Sequence, residues 1–155
     1  MKTLKKWATM IGAVTMLVSI FSFAAPMPKV AAAVANGSDP IATGCARDAI
    51  TVTDWNNTSW FSGAQVDLRY SPSCRSAWAK FTIGEDPAAK EGTARITRND
   101  GVSYSCTAKK SLGQKSCYTK QVNDAGYTAR ATANVLFQGE YGAGYWWEYL
   151  YTRWY

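Results

Sequence analysis

The chain of 155 residues contains no histidine. That absence excludes Ser-His-Asp and Cys-His catalysis, and with them any metal site built on imidazole. Methionine is missing from everything beyond Met27; Met1, Met10, Met16 and Met27 are its only occurrences. Cysteine shows the reverse distribution. It is absent from the start of the chain and occurs at Cys45, Cys74, Cys106 and Cys117. No phosphate loop, calcium loop, internal repeat or metal-ligand spacing can be found. These residues call for no cofactor and no metal, and they supply no catalytic set.

What is present begins with a leader. Lys2, Lys5 and Lys6 precede an uncharged, mostly apolar run from Trp7 to Ala25, and the small residues Ala31-Ala32-Ala33-Val34-Ala35 follow. Charged, apolar, then small is the order of an export signal, so residues 1–35 read as a signal peptide. Ala33-Val34-Ala35 offers the small–x–small pattern for cleavage after Ala35, with cuts after Ala24 or Ala33 as alternatives. The competing reading is an uncleaved anchor, since the apolar run approaches the roughly 20 residues that cross a bilayer. A lipoprotein needs a cysteine directly behind that run, and Cys45 lies well beyond it. The expectation is a secreted, extracellular protein whose residues 36–155 form one domain with no membrane-spanning segment.

Cleavage also changes the charge. The formal net charge of +6 loses Lys2, Lys5, Lys6 and Lys29 with a leader that holds no acid, leaving +2. That is too little for a nucleic-acid ligand, which demands dense phosphate neutralisation. Lys109, Lys110, Lys115 and Lys120 form a local basic cluster, which reads first as a solvated loop.

Four cysteines in a small exported domain read as two disulfides, and three pairings are open. Cys45–Cys74 with Cys106–Cys117 is favoured because each bridge closes a short segment. Chain-entropy arguments give about 3.5 kcal/mol for the longer loop and about 2.8 kcal/mol for the shorter.

The apolar pattern has a period of two. Tyr127, Ala129, Ala131, Ala133, Val135 and Phe137 alternate with Thr128, Arg130, Thr132 and Asn134, which predicts a strand despite the alanines. Similar alternation marks Ile50–Thr53, Val66–Ser71, Ala77–Ile83, Thr93–Arg98 and Val102–Thr107, with one further strand over Ser116–Val122. Cys106 falls on the inward face with Val102 and Tyr104. Asn99-Asp100-Gly101 reads as a tight hairpin turn that uses positive φ. Only Pro87–Glu91 has helical character. Such a set of short strands describes an all-β domain, a small antiparallel β-sandwich or barrel.

Aromatic residues crowd the C-terminus: Tyr141, Tyr145, Trp146, Trp147, Tyr149, Tyr151, Trp154 and Tyr155. Alternation puts Tyr145, Trp147, Tyr149 and Tyr151 on one face of a last strand, with Trp146, Leu150 and Trp154 on the other. Such a strand reads first as buried on one side and packed by neighbouring aromatics on the other. The functional reading is that one face is an exposed aromatic row, of the kind that stacks on sugar rings or sits at a membrane interface. Trp146, Trp147, Tyr149 and Trp154 are therefore candidate binding residues. Without histidine, hydrolysis would need a carboxylate pair, and Asp67 and Glu148 are the acids least like ordinary surface groups. Arg69 is a further candidate contact, although a structural ion pair with Asp48 or Asp67 is the plainer reading. Trp78 reads as packing rather than platform.

Two stretches carry a resemblance. Asp39-Pro40-Ile41-Ala42-Thr43-Gly44-Cys45 with Asp48-Ala49 and Thr51-Val52 is one; Leu68-Arg69-Tyr70-Ser71-Pro72-Ser73-Cys74 with Ala77-Trp78-Ala79 is the other. Together with Cys117-Tyr118-Thr119 they resemble the YjfA-like family of small secreted Gram-positive bacterial proteins of unknown function. The resemblance covers about Asp39 to Tyr127 and implies export and a shared cysteine framework, with no catalytic residues. The leading functional expectation is a non-enzymatic, monomeric binding module at the cell envelope, with cell-wall glycan or another surface polymer as partner. A secreted antimicrobial or toxin-like protein is the alternative, and a carboxylate-dependent hydrolase the third.

Overall fold

The computed structural model describes residues 33–52, 63–139 and 143–155. Nearly all of the expected signal peptide lies outside them, as does Tyr141. Among the described residues nine strands form: β1 Ile50–Val52, β2 Gln65–Ser71, β3 Ser76–Thr82, β4 Ala89–Arg98, β5 Ser103–Lys109, β6 Ser116–Tyr118, β7 Val122–Asn123, β8 Ala129–Gln138 and β9 Tyr145–Tyr151. They make two antiparallel sheets. The first has the order β1-β2-β3-β6, with β7 also pairing along β3; the second has the order β5-β4-β8-β9. β3 packs over β4 and β8, β2 over β8 and β9, and β6 over β5. Of the two expected architectures, sandwich or barrel, this is the antiparallel β-sandwich.

The core follows from period-two alternation. Val66 and Leu68 of β2, Ala77, Ala79 and Phe81 of β3, and Ala131, Ala133, Val135 and Phe137 of β8 point into one cluster. Alanine dominates β8 because its inward face lies between large side chains from both sheets, so small residues complete the layer. Gly92 shows how tight the layer is. A Cβ there would fall 2.1 Å from Cζ of Phe81, a fully buried ring in the opposite sheet. A glycine inside a strand commonly marks such a close approach.

Both disulfides form as favoured, Cys45 with Cys74 and Cys106 with Cys117. The second joins β5 to β6 and so ties the two sheets together, with Cys106 facing inward as expected. The first ties the N-terminal segment to the loop between β2 and β3.

Four local expectations need correction. The strand expected from Tyr127 starts at Ala129, because Tyr127 belongs to a turn in which its N–H donates to the Asp124 carbonyl (3.2 Å). The strand expected over Ser116–Val122 divides into β6 and β7, which meet different parts of β3. At the break Ala79 N–H donates to the Thr119 hydroxyl at 3.1 Å, a side chain standing where a ladder carbonyl would be. Pro87–Glu91 forms no helix, and Ala89 already pairs with Phe137. In the Asn99-Asp100-Gly101 turn only Gly101 adopts positive φ, at 96°. A three-residue loop ending in one left-handed glycine needs no more.

Replacing Gly92 by alanine is expected to destabilise the domain by about 1–3 kcal/mol, the usual cost of overpacking a filled core. Chemical denaturation checks this. Phe81→Leu in the same background should recover part of the loss by vacating the space.

Candidate functional site

Strand β9 forms one edge of the second sheet and is bonded to β8 from Gln138↔Tyr145 to Thr132↔Tyr151. Leu150 enters the core at 2% exposure and fixes the phase of the strand. Trp146, on the same inward side, stacks on buried Phe137 with centroids 5.5 Å apart. The opposite side turns outward. Tyr145, Trp147 and Tyr149 are 65%, 60% and 53% exposed, and Tyr151 stacks beside Tyr149 at 5.8 Å.

Trp154 joins this outer row, contrary to strict alternation. Thr152 lies opposite Ala131, but Tyr155 exchanges both backbone hydrogen bonds with Ala129 (3.0 Å each). Three steps along the C-terminal segment therefore span two along β8, and one extra residue reverses the side-chain phase, as a β-bulge does. Ala131 N–H donates to the Thr152 hydroxyl at 3.1 Å where this begins. Trp154 consequently meets Arg130 of the outer face, whose guanidinium lies 4.8 Å from the indole centroid. Tyr155 turns inward to an edge contact with Tyr70, 5.3 Å between centroids. Outer-face neighbours on β8 are polar apart from Leu136: Thr132, Asn134 and Gln138.

Where Trp146 meets Phe137 a cleft of about 340 Å³ opens, walled by Asp86, Pro87, Ala88, Lys90, Gln138 and Gly139. Asp86 Oδ1 accepts from Ala88 N–H at 2.8 Å. Lys90 sits at an irregularity of β4, where Ala89 pairs with Phe137 and Glu91 with Leu136, leaving Lys90 without an opposite residue. Sequence periodicity did not single out Lys90 or Asp86. The signal available was the failure of β4 to alternate cleanly around residues 89–91.

The other candidates have structural roles. Arg69 binds neither Asp48 nor Asp67. Its guanidinium donates to the Thr51 hydroxyl and to the Ala49 carbonyl (3.0 Å for the latter), fastening β1 to β2. Asp48 instead accepts from the Ser71 hydroxyl (2.6 Å) and Ser73 N–H (2.8 Å), which hold its pKa below the usual carboxylate range. Asp67 lies on the outward side of β2, whereas Glu148 lies on the inward side of β9, so they form no catalytic pair across one cleft. The lysine cluster is dispersed among partners: Lys109 with Glu91, Lys115 with Glu85, Lys120 with Asp39, and Lys110 with the Asp86 carbonyl. Trp78 is buried packing, 4% exposed. Among the described residues no group of histidine, cysteine or acidic side chains is arranged to hold a metal ion.

One acid is unusual. Asp124 follows β7, is half-buried, and has Oδ1 buried without a hydrogen-bond partner among the described residues. Burial pushes its carboxyl up to about 6, against the downward pull of Arg98 and Arg75. Arg98 is already committed to Asp100 through Nε (2.8 Å) and Nη2 (2.6 Å), to the Asn123 carbonyl (2.7 Å), and to the Tyr127 ring at 3.9 Å. Arg75 holds a left-handed backbone, φ 48°, with its carbonyl accepting from Asp124 N–H at 2.8 Å.

Two outcomes follow from this geometry. Trp146→Ala should cost about 1–3 kcal/mol by uncovering Phe137, while Trp147→Ala should stay within about 0.5 kcal/mol; thermal melts of the two single variants separate them. Asp124 binds its proton more tightly folded than unfolded, so its contribution is complete below pH 4 and is lost as pH rises through about 6. Asp124→Asn should therefore raise the melting temperature at pH 7 and flatten its decline between pH 4.5 and 7. Melts across that range test this, and an unchanged slope would contradict it.

Residues 33–132 match the family model described as "Protein of unknown function (DUF2690)". That span includes the first sheet, β4, β5 and the start of β8, and ends before β9. The chain is also similar to the uncharacterized protein YjfA of Bacillus subtilis (strain 168), 38% identical over 98 residues, which is 57% of this chain and 62% of that protein. It thus spans less than two thirds of the length of that relative. No solved structure matches the chain. With most of the chain inside the family model and both halves of the cysteine framework in place, the protein belongs to the DUF2690 family of YjfA-like proteins, whose function is unknown.

Proposed function

We propose that this protein is an exported, non-enzymatic module that binds a glycan polymer of the cell envelope through the outer face of β9. The supporting observation is the run of five aromatic side chains, Tyr145, Trp147, Tyr149, Tyr151 and Trp154, on one side of an edge strand. Large aromatic groups left in water are costly unless something covers them, and a contiguous exposed patch marks an interaction surface. Residues two apart on a strand repeat every 6.6–6.8 Å or so, which spaces flat ring faces along a line. A linear polymer with apolar C–H faces suits such a line better than a compact ligand does. Thr132, Asn134 and Gln138 beside the row add donors and acceptors for hydroxyl groups.

Export is supported by the leader pattern and by the two disulfides, which persist in oxidising surroundings. Among the described residues no helix is long and apolar enough to cross a membrane. Binding without catalysis is favoured by the missing histidine and by the separation of Asp67 from Glu148.

The test is co-sedimentation of the disulfide-bonded protein with purified peptidoglycan. Each lost stacking contact should remove about 0.5–1.5 kcal/mol, so Trp147→Ala with Tyr149→Ala should weaken retention several-fold while the melting temperature holds. If the wild type stays in the supernatant but leaks anionic lipid vesicles, the row is membrane-facing and the glycan reading fails.

A further inference from the structure

The cleft beside Trp146 holds a charge arrangement that the outer row lacks. Lys109, Lys110, Lys115 and Lys120 all have an anionic or carbonyl partner, whereas half-buried Lys90 has none among the described residues. Its direction is also imposed. Lys90 is the unpaired residue of the irregularity between Ala89 and Glu91, and such bulges re-aim a side chain that the ladder would otherwise place. The result is a lysine in the lining of a cavity that the stacked Trp146–Phe137 pair also lines.

The other walls restrict what the ammonium can meet. Asp86 spends one carboxylate oxygen on Ala88 N–H and keeps the other, and Gln138 adds an amide that both donates and accepts. Asp86 accepts readily from hydroxyl groups and repels a multiply charged anion such as a phosphate monoester. An indole, hydroxyl-seeking polar groups and a lysine with no anionic partner among the described residues together suit a polyhydroxylated ring with a single negative charge.

We propose that this cleft binds one pyranose unit bearing a carboxylate, with its ring on Trp146, its hydroxyls on Asp86 and Gln138, and its carboxylate on Lys90. The proposal rests on the glycan-binding reading above and adds the class of sugar recognised. The outer row then holds neutral stretches of the polymer, and the cleft selects for acidic units.

The experiment is calorimetric titration of the disulfide-bonded protein with a uronic-acid oligosaccharide and with the same oligosaccharide after carboxyl reduction. The acidic form should bind about two- to fivefold more tightly, the range of one partly exposed ion pair. Lys90→Gln should abolish that preference, so that the acidic and reduced forms bind equally; Lys90→Arg should keep it. Trp147→Ala should lower both affinities and preserve their ratio. Equal binding of the two sugars by the wild type, or a preference that survives in Lys90→Gln, overturns the proposal. If the protein still sediments with peptidoglycan in that case, only the acidic-sugar assignment is lost; if it binds neither sugars nor peptidoglycan, the glycan reading is lost as well.

Discussion

The buried side-chain amide of Gln121 decides how this sandwich treats its two outer faces. Its Nε2 donates to the hydroxyls of Ser38 (2.8 Å) and Thr43 (2.9 Å), and its Oε1 accepts from Ser76 (2.8 Å). Its backbone pairs with Gly37 and Ser38. Every one of these polar groups is matched, so a fully buried carboxamide carries little desolvation penalty. The N-terminal segment is thereby held against the first sheet, with Cys45–Cys74 as its covalent second point. Trp78 is buried on the face of β3 opposite the core, and Pro40 and Cys45 of the N-terminal segment are buried as well. On the second sheet, the side chains of β9 that point away from the core stay in water. The difference between a covered and an uncovered face turns one aromatic side chain into packing and others into candidate contacts.

Two one-residue irregularities shape the uncovered side. At the C-terminus the extra residue between Thr152 and Tyr155 brings Trp154 over Arg130 and sends Tyr155 inward. In β4 the residue without a partner is Lys90, at the cleft. A β-strand has only two directions for a side chain, so inserting one residue exchanges them. Regular pairing would have buried Trp154 toward the core and placed Lys90 in an ordinary cross-strand position.

This explains what was legible in the sequence and what was not. Alternation reports faces wherever a ladder is regular, and so β2, β3, β5, β8 and the phase of β9 were readable, Cys106 included. The disulfide pairing was readable because both bridges close short segments. Trp154 was misplaced because a bulge leaves no mark in the pattern before it. Arg69 was assigned to carboxylates because the sequence shows charges more plainly than carbonyls. Its partners Thr51 and Ala49 become neighbours only through the β1–β2 register. Gln121 and Asp124 were invisible for a related reason: their importance lies in burial, which for polar residues in short connecting segments has no periodic signature. The cleft likewise draws on β4, β8, β9 and the β3–β4 connection at once.

The position of Cys106–Cys117 has a mechanical consequence. It fastens β5 to β6, at the side of the sandwich away from β9, and makes that side a spine like that of a bound book. The fore-edge is held by softer means, the contact of Tyr70 with Tyr155 and the burial of Leu150. Opening of the two sheets must then pivot about the spine and start where the aromatic strand lies. Among the described residues, the strand that carries the outer aromatic row thus lies at the edge of the sandwich that no disulfide ties to the opposite sheet.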